Sequence, residues 1–124
     1  MSSAELDALE ALAKVDYSRD EKVTVEAFIE ANNRFHIAVA EGSGVPRLAD
    51  HIGAYLEESA RIFYMGAVAR DVTPETQDDH MAILTALRAG DAEGARKAMI
   101  IHCENTRRGM LTSLMLDVNS ALLL

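Results

Sequence analysis

Histidine is scarce in this chain, and three of its four copies lie at positions typical of the inward face of a helix. Apolar residues surround His36, His80 and His102 at spacings of three and four. An imidazole nitrogen at such a position can bind a divalent transition metal. A single buried histidine is more often a core residue satisfied by one hydrogen bond. The interpretation therefore depends on whether the three side chains meet.

Two of these histidines flank a predicted turn at nearly equal distances. His80 lies ten residues before Gly90, and His102 lies eleven residues after Asp91. A helix rises about 1.5 Å per residue, so each histidine is expected roughly 15–17 Å from the turn. If the two helices are antiparallel, His80 and His102 face each other at the same height.

An amide side chain completes a candidate ligand set. Asn32 precedes His36 by four residues, which places both side chains on one helix face. Together with His80 and His102, they offer three imidazole nitrogens and one amide oxygen. This donor set suits zinc first, with nickel, iron or manganese as alternatives, and leaves room for water or a ligand. From spacing alone, a bundle with ordinary core histidines remains the alternative.

Helical periodicity accounts for almost the whole chain, and no alternating β-type run of useful length occurs. Gly66 to Val72 is predicted to be a loop, Thr73 to cap the next helix, and Asp91 to cap the last. The fold class predicted is all-α, an antiparallel helical bundle with short connections. The predicted helices cover residues 6–13, 23–41, 46 to about 65, 74–89 and 92 to about 122.

Composition limits the classes of function. The 124 residues fit one domain, and their formal net charge of −8 should repel nucleic acid. The densest basic cluster is Arg107-Arg108, too small for a DNA-binding surface. Cys103 is the only cysteine, which excludes an internal disulfide. No signal sequence or membrane span is evident, so we expect a cytoplasmic protein that makes no DNA contact by itself.

Two segments of the chain match a known family pattern in both residue type and spacing. The first contains Asn32-x-x-x-His36 and Gly42-Ser43-Gly44. The second contains Asp79-His80, Gly90-Asp91, Ala95, Met99 and His102. From about Leu6 to Leu114 the chain resembles the C-terminal effector-binding domain, or FCD domain, of the FadR-type GntR transcription regulators. In that family the domain is a helical bundle that holds a metal. A small carboxylate metabolite commonly binds at or beside the metal. Its binding changes how an N-terminal winged helix-turn-helix, paired in a dimer, sits on operator DNA.

The resemblance implies specific roles for this chain. It assigns Asn32, His36, His80 and His102 as metal ligands and residues 1–124 as a single effector-binding domain of a homodimer. The winged helix-turn-helix domain and the first helix of the effector domain are expected to be missing from these residues. The family frequently has aspartate at the position of Asn32. Four neutral ligands would leave the ion its full double charge, which favours an anionic effector.

Arg61 and Asn105 are the candidate residues for contacts with the effector carboxylate. Glu57 lies one turn before Arg61 and offers a surface ion pair instead, and Asn105 equally suits an ordinary helix surface. Two other functions remain as alternatives, a small metal-dependent enzyme and a structural dimerisation bundle without metal. An enzyme needs a base beside the metal. Asp79 is the nearest acid, but it is expected to point aside from His80, so we predict no enzymatic activity.

Overall fold

The computed structural model describes residues 1–122 and the side chains of residues 1–116. No strand occurs among the described residues, which confirms the predicted all-α class. None of the helices that they form combines the length and apolar composition needed to cross a bilayer. Helical spacing in the sequence also predicts Val118 and Leu122 as core positions, and both lie outside the described side chains. The five helices are α1 (Ser3–Ala13), α2 (Lys22–Glu41), α3 (Pro46–Ala69), α4 (Thr73–Arg88) and α5 (Ala92–Leu122).

The helices form a closed ring. Helix α1 packs against α2 and α4, helix α3 packs against α2 and α5, and α4 also packs against α5. Within residues 1–122 no other pair of helices is in close backbone contact. Short connections make consecutive helices antiparallel, so the ring encloses an interior that side chains of several helices can reach.

The hairpin between α4 and α5 has the predicted turn. Gly90 adopts a φ of +69°, the left-handed conformation that glycine accepts without strain. The Asp91 carboxylate accepts a hydrogen bond of 2.9 Å from the backbone N–H of Gly94, which confirms Asp91 as the cap of α5. This turn fixes the relative height of α4 and α5.

The predicted loop from Gly66 to Val72 is wrong in its first half, because α3 continues to Ala69. Gly66 is buried, and a Cβ atom there would collide with the side chain of Met110 on α5. Gly66 therefore leaves room for the Met110 side chain of α5, and it does not end α3.

The predicted cap of α4 is also wrong. The helix begins one residue earlier than expected, with Val72 at the N-cap and no side-chain cap. The backbone N–H of Thr73 donates instead to the Asp71 carboxylate at 3.0 Å. Asp71 therefore takes the role that the sequence had suggested for the Thr73 hydroxyl.

A compact apolar cluster joins α1, α2 and α4 on one side of the ring. It consists of Leu6, Leu9, Ala13, Phe35, Ile83 and Leu84. The fully buried Phe35 ring stacks on the His80 imidazole, with the ring centroids 4.1 Å apart and the planes nearly parallel. This stacking restricts the His80 ring to one orientation and positions it at the edge of the apolar cluster.

Candidate metal centre

Three helices bring His36, His80 and His102 together inside the ring. The side chains come from α2, α4 and α5, and His80 and His102 are only 2% and 5% exposed. The Nε2 atom of His102 lies 3.2 Å from the Nε2 atom of His80 and 3.2 Å from that of His36. One ring nitrogen from each histidine lies within 4.8 Å of the other two. The prediction that His80 and His102 face each other is confirmed.

The spacing of these nitrogens fits a transition metal. Zinc binds imidazole nitrogen at about 2.0–2.1 Å, and two ligands of a tetrahedral site are then about 3.3 Å apart. The two Nε2 separations of 3.2 Å agree with that value. The three imidazoles therefore have the donor type of a zinc site, and the two separations from His102 match those between corners of a tetrahedron.

Burial keeps the imidazoles of His36 and His80 neutral. Burial lowers the pKa of His36 to about 4, with a smaller contribution from the neighbouring His102. Burial, with smaller contributions from the nearby His36 and His102, lowers the pKa of His80 to about 2. At neutral pH both rings are uncharged, and a neutral ring is the form that offers a lone pair to a metal.

Asp79 orients the third imidazole. Its Oδ2 atom lies 2.9 Å from the Nδ1 atom of His102. A hydrogen bond donated by Nδ1–H to this carboxylate leaves the lone pair on Nε2, which faces the other two histidines. Asn105 supports the arrangement, because its amide Nδ2 donates to both oxygens of Asp79 at 3.2 and 3.3 Å.

This role of Asp79 was not predicted from the sequence. Spacing within α4 indicates only that the side chain points aside from His80, and its partner His102 lies on the neighbouring helix. A signal was present, because Asn105 follows His102 by three residues and shares its helix face. Two hydrogen-bonding side chains on that face of α5 indicate an acceptor on α4.

Replacement of Asp79 by asparagine is expected to weaken metal binding by about 10–100-fold, because outer hydrogen-bond partners of metal ligands have effects of this size. The amide keeps the shape of the side chain but loses the charge that favours the required form of His102. Competition with a chromophoric chelator measures the affinity. Asp78→Asn is the matched control, because Asp78 is exposed on the same helix. Native affinity in Asp79→Asn would show that the carboxylate does not support the site.

Asn32 lies one turn before His36 on α2 and is half-buried. It lines the same cavity as His36 and His102. Its amide Nδ2 donates to the Asn33 side chain at 3.4 Å. This contact engages the amide nitrogen and not the oxygen that would bind a metal, so the role of Asn32 as the fourth ligand stays a prediction.

A cavity of about 810 Å³ lies beside the three histidines, between α2, α3, α4 and α5. Asn105 lines this cavity as expected of an effector residue, whereas Arg61 is exposed on α3 and lies outside the lining. Arg70, at the end of α3, lines the cavity instead and forms an ion pair with Glu75. Neither member of this pair was expected from the sequence. The polar lining near the histidines consists of Asn32, His36, Asp79, His102 and Asn105.

Comparison with known proteins agrees with this architecture. The FCD domain family matches residues 1–105 of the chain. Two relatives, from Escherichia coli K12 and Shigella flexneri, are each 32% identical over 80 residues, which is 59% of this chain and 30% of theirs. Both are described as proposed regulatory proteins of the L-lactate dehydrogenase operon. The chain thus matches less than a third of their length, and no solved structure gives a significant match.

These comparisons distinguish between the alternatives left open by the sequence. The match covers most of the chain and includes all three histidines. Family and relatives indicate a regulatory, effector-binding domain and not an enzyme. On this evidence the chain belongs to the FCD domain family.

Proposed function

We propose that this chain senses a metabolite for a transcription regulator through a bound divalent metal, with zinc as the first candidate. His36, His80 and His102 would hold the ion, and Asn32 would supply the fourth protein ligand. The convergence of three imidazole nitrogens beside the cavity, with His36 and His102 in its wall, is the observation that supports this proposal most strongly. A bound ion would provide a positive charge and open coordination positions at the cavity.

A carboxylate is the effector class that this site favours. All four proposed ligands are neutral groups, so the ion together with the nearby Asp79 carboxylate would leave a net positive charge in a largely apolar cavity, where an anion is attracted. Asn105 lies at the cavity wall within reach of Asp79, where it can respond to an effector beside the metal. We therefore place a small carboxylate metabolite at or next to the ion.

DNA binding is assigned to another part of the regulator. The chain carries a net charge of −8, and its longest basic cluster is a pair of arginines, so it lacks the charge that DNA binding requires. In our proposal residues 1–124 are one effector-binding domain that pairs as a homodimer in the cytoplasm. Effector binding there would change the position of winged helix-turn-helix domains on DNA.

The experiment that tests this proposal is a thermal-shift screen of carboxylic acids, performed with metal and again after chelation. A ligand that binds only the folded, metal-loaded state stabilises it by about 2.7 kcal/mol at a concentration 100 times its Kd. We expect the Tm to rise with the logarithm of acid concentration in the metal-loaded protein alone. His51→Gln, at an exposed histidine of α3, should respond like the native chain. An equal rise after chelation would show that acid binding does not involve the ion.

A further inference from the structure

The cavity beside the histidines is larger than a small acid requires. Its volume of about 810 Å³ is at the upper end of the range of about 300–1,000 Å³ that is typical of pockets for drug-sized ligands. An acid as small as lactate would leave most of this volume to water. Water gains few hydrogen bonds at apolar walls, so the walls favour a ligand that covers them.

The cavity is also long, and its composition differs along its length. Its lining on α5 runs from Ala95 to Met110, which corresponds to about 22 Å of helix. His102 lies near the middle of this span. The half between the histidines and the α4–α5 turn, here called the apolar half, is lined by Val39, Ile52, Leu56, Ile83, Leu87 and Met99.

The positive charges at the cavity wall are already paired. Among the described lining residues the cationic side chains are Arg70 and Arg96. Arg70 forms an ion pair with Glu75, and its Nε atom is buried without a hydrogen-bond partner. Arg96 is mostly exposed and lies 3.7 Å from Glu93. Both arginines thus have an acidic partner, so the proposed ion at the histidine cluster is the strongest attraction for an anionic group among the described lining residues.

We infer that the effector is a monocarboxylate with an extended apolar body, such as an alkyl chain or an aryl group. Its carboxylate lies at the histidine cluster, and its body lies along the apolar half. This inference rests on the proposed function and narrows it from small acids in general to amphipathic ones. Burial of the body removes apolar surface from water on both ligand and wall, which is the main source of affinity for such a ligand.

A series of straight-chain acids from acetate to decanoate tests the inference by isothermal titration of the metal-loaded chain. Affinity should rise about fourfold for each added methylene, which corresponds to about 0.8 kcal/mol, until the chain fills the apolar half. Phenylacetate measures the aryl alternative, and adipate and L-lactate represent the compact or doubly charged acids. A flat series, or adipate binding as tightly as hexanoate, would overturn the inference.

A substitution inside the apolar half provides the structural control. Ala95 lies two turns before His102 on α5 and lines the cavity without contacting the histidine cluster. Ala95→Phe should weaken octanoate binding by about tenfold or more through steric filling, and leave acetate binding unchanged. Ala82→Phe is the matched variant, because Ala82 is exposed on α4. Native octanoate affinity in Ala95→Phe would place the apolar body elsewhere.

Titration with and without metal distinguishes failure of this inference from failure of the function on which it rests. If every acid binds only with metal but affinity ignores chain length, the metal–carboxylate function stands and the apolar-body inference fails. If affinity increases with chain length but survives chelation, the apolar half is confirmed and the metal function fails. Binding of 1-octanol as tight as that of octanoate would overturn both, because the carboxylate would then contribute nothing.

Discussion

Replacing both His80 and His102 with alanine is expected to abolish stoichiometric metal binding, from about one ion per chain to none. The double variant keeps only His36 and Asn32, and two neutral donors on one helix cannot complete a tetrahedral site. Metal analysis of protein purified without an immobilised-metal column measures the stoichiometry. His51→Ala is the matched control, because it removes an exposed histidine of α3. Full occupancy in the double variant would disprove the assignment.

The same measurement distinguishes the site from a metal-free histidine cluster. Separations of 3.2 Å also suit hydrogen bonds, and the Nε2 atom of His102 could accept an N–H from one of its two neighbours. A native chain without any bound ion would favour that arrangement and a structural role. His80→Phe guards against misfolding as the cause of lost metal, because a phenyl ring can keep the stacking on Phe35 while it removes the ligand nitrogen.

The part of the site that lies on the α4–α5 hairpin could be predicted from the sequence. His80 and His102 lie at equal distances from the Gly90-Asp91 turn, and the constant rise of a helix converts those distances into equal heights. His36 comes from α2, which is separated from this hairpin by α3. Spacing alone predicts that His36 faces inward. Its place beside His80 and His102 depends on the closure of the whole ring, and the resemblance to a known family implied it.

Other features depend on how the helices are rotated and packed. Asp79 contacts His102 because α4 is rotated so that the Asp79 side chain faces α5. Spacing within α4 gives only the direction of the Asp79 side chain relative to that of His80. Gly66 was interpreted as the end of a helix, since glycine is common at helix ends and at close helix contacts alike. Only the position of Met110 distinguishes these two uses. The true end of α3 then brings Arg70, rather than Arg61, to the cavity.

Acidification is expected to destabilise the metal-free chain steeply below about pH 6.5. Burial lowers the pKa of His36 to about 4 and that of His80 to about 2, whereas both imidazoles titrate near 6.5 in the unfolded chain. Below pH 6.5 the unfolded state therefore binds more protons than the folded state, so stability falls as the pH falls. The stability is fully present above 6.5 and is lost toward the folded-state pKa values.

The expected size of this effect makes it easy to measure. Each of the two histidines costs about 1.4 kcal/mol per pH unit within the window, so the loss at pH 5 is on the order of 4 kcal/mol. That is a large part of the 5–15 kcal/mol typical of a folded domain. Urea unfolding of the chelated chain at pH 7, 6 and 5 measures the slope. His36→Gln/His80→Gln should flatten it, and His51→Gln should leave it unchanged.

Bound metal should make the dependence on pH steeper near pH 4, because protons compete with the ion for His36, whose pKa in the folded chain is about 4. At pH 7 the ion binds only the folded chain and therefore raises the free energy of unfolding. As the pH falls below about 4, the ion is released, and an effector carboxylate bound to it is released as well. Unfolding curves with and without metal should thus differ at pH 7 and converge below about pH 4. Curves that stay equally far apart at both pH values would show that the ion binds groups other than these histidines.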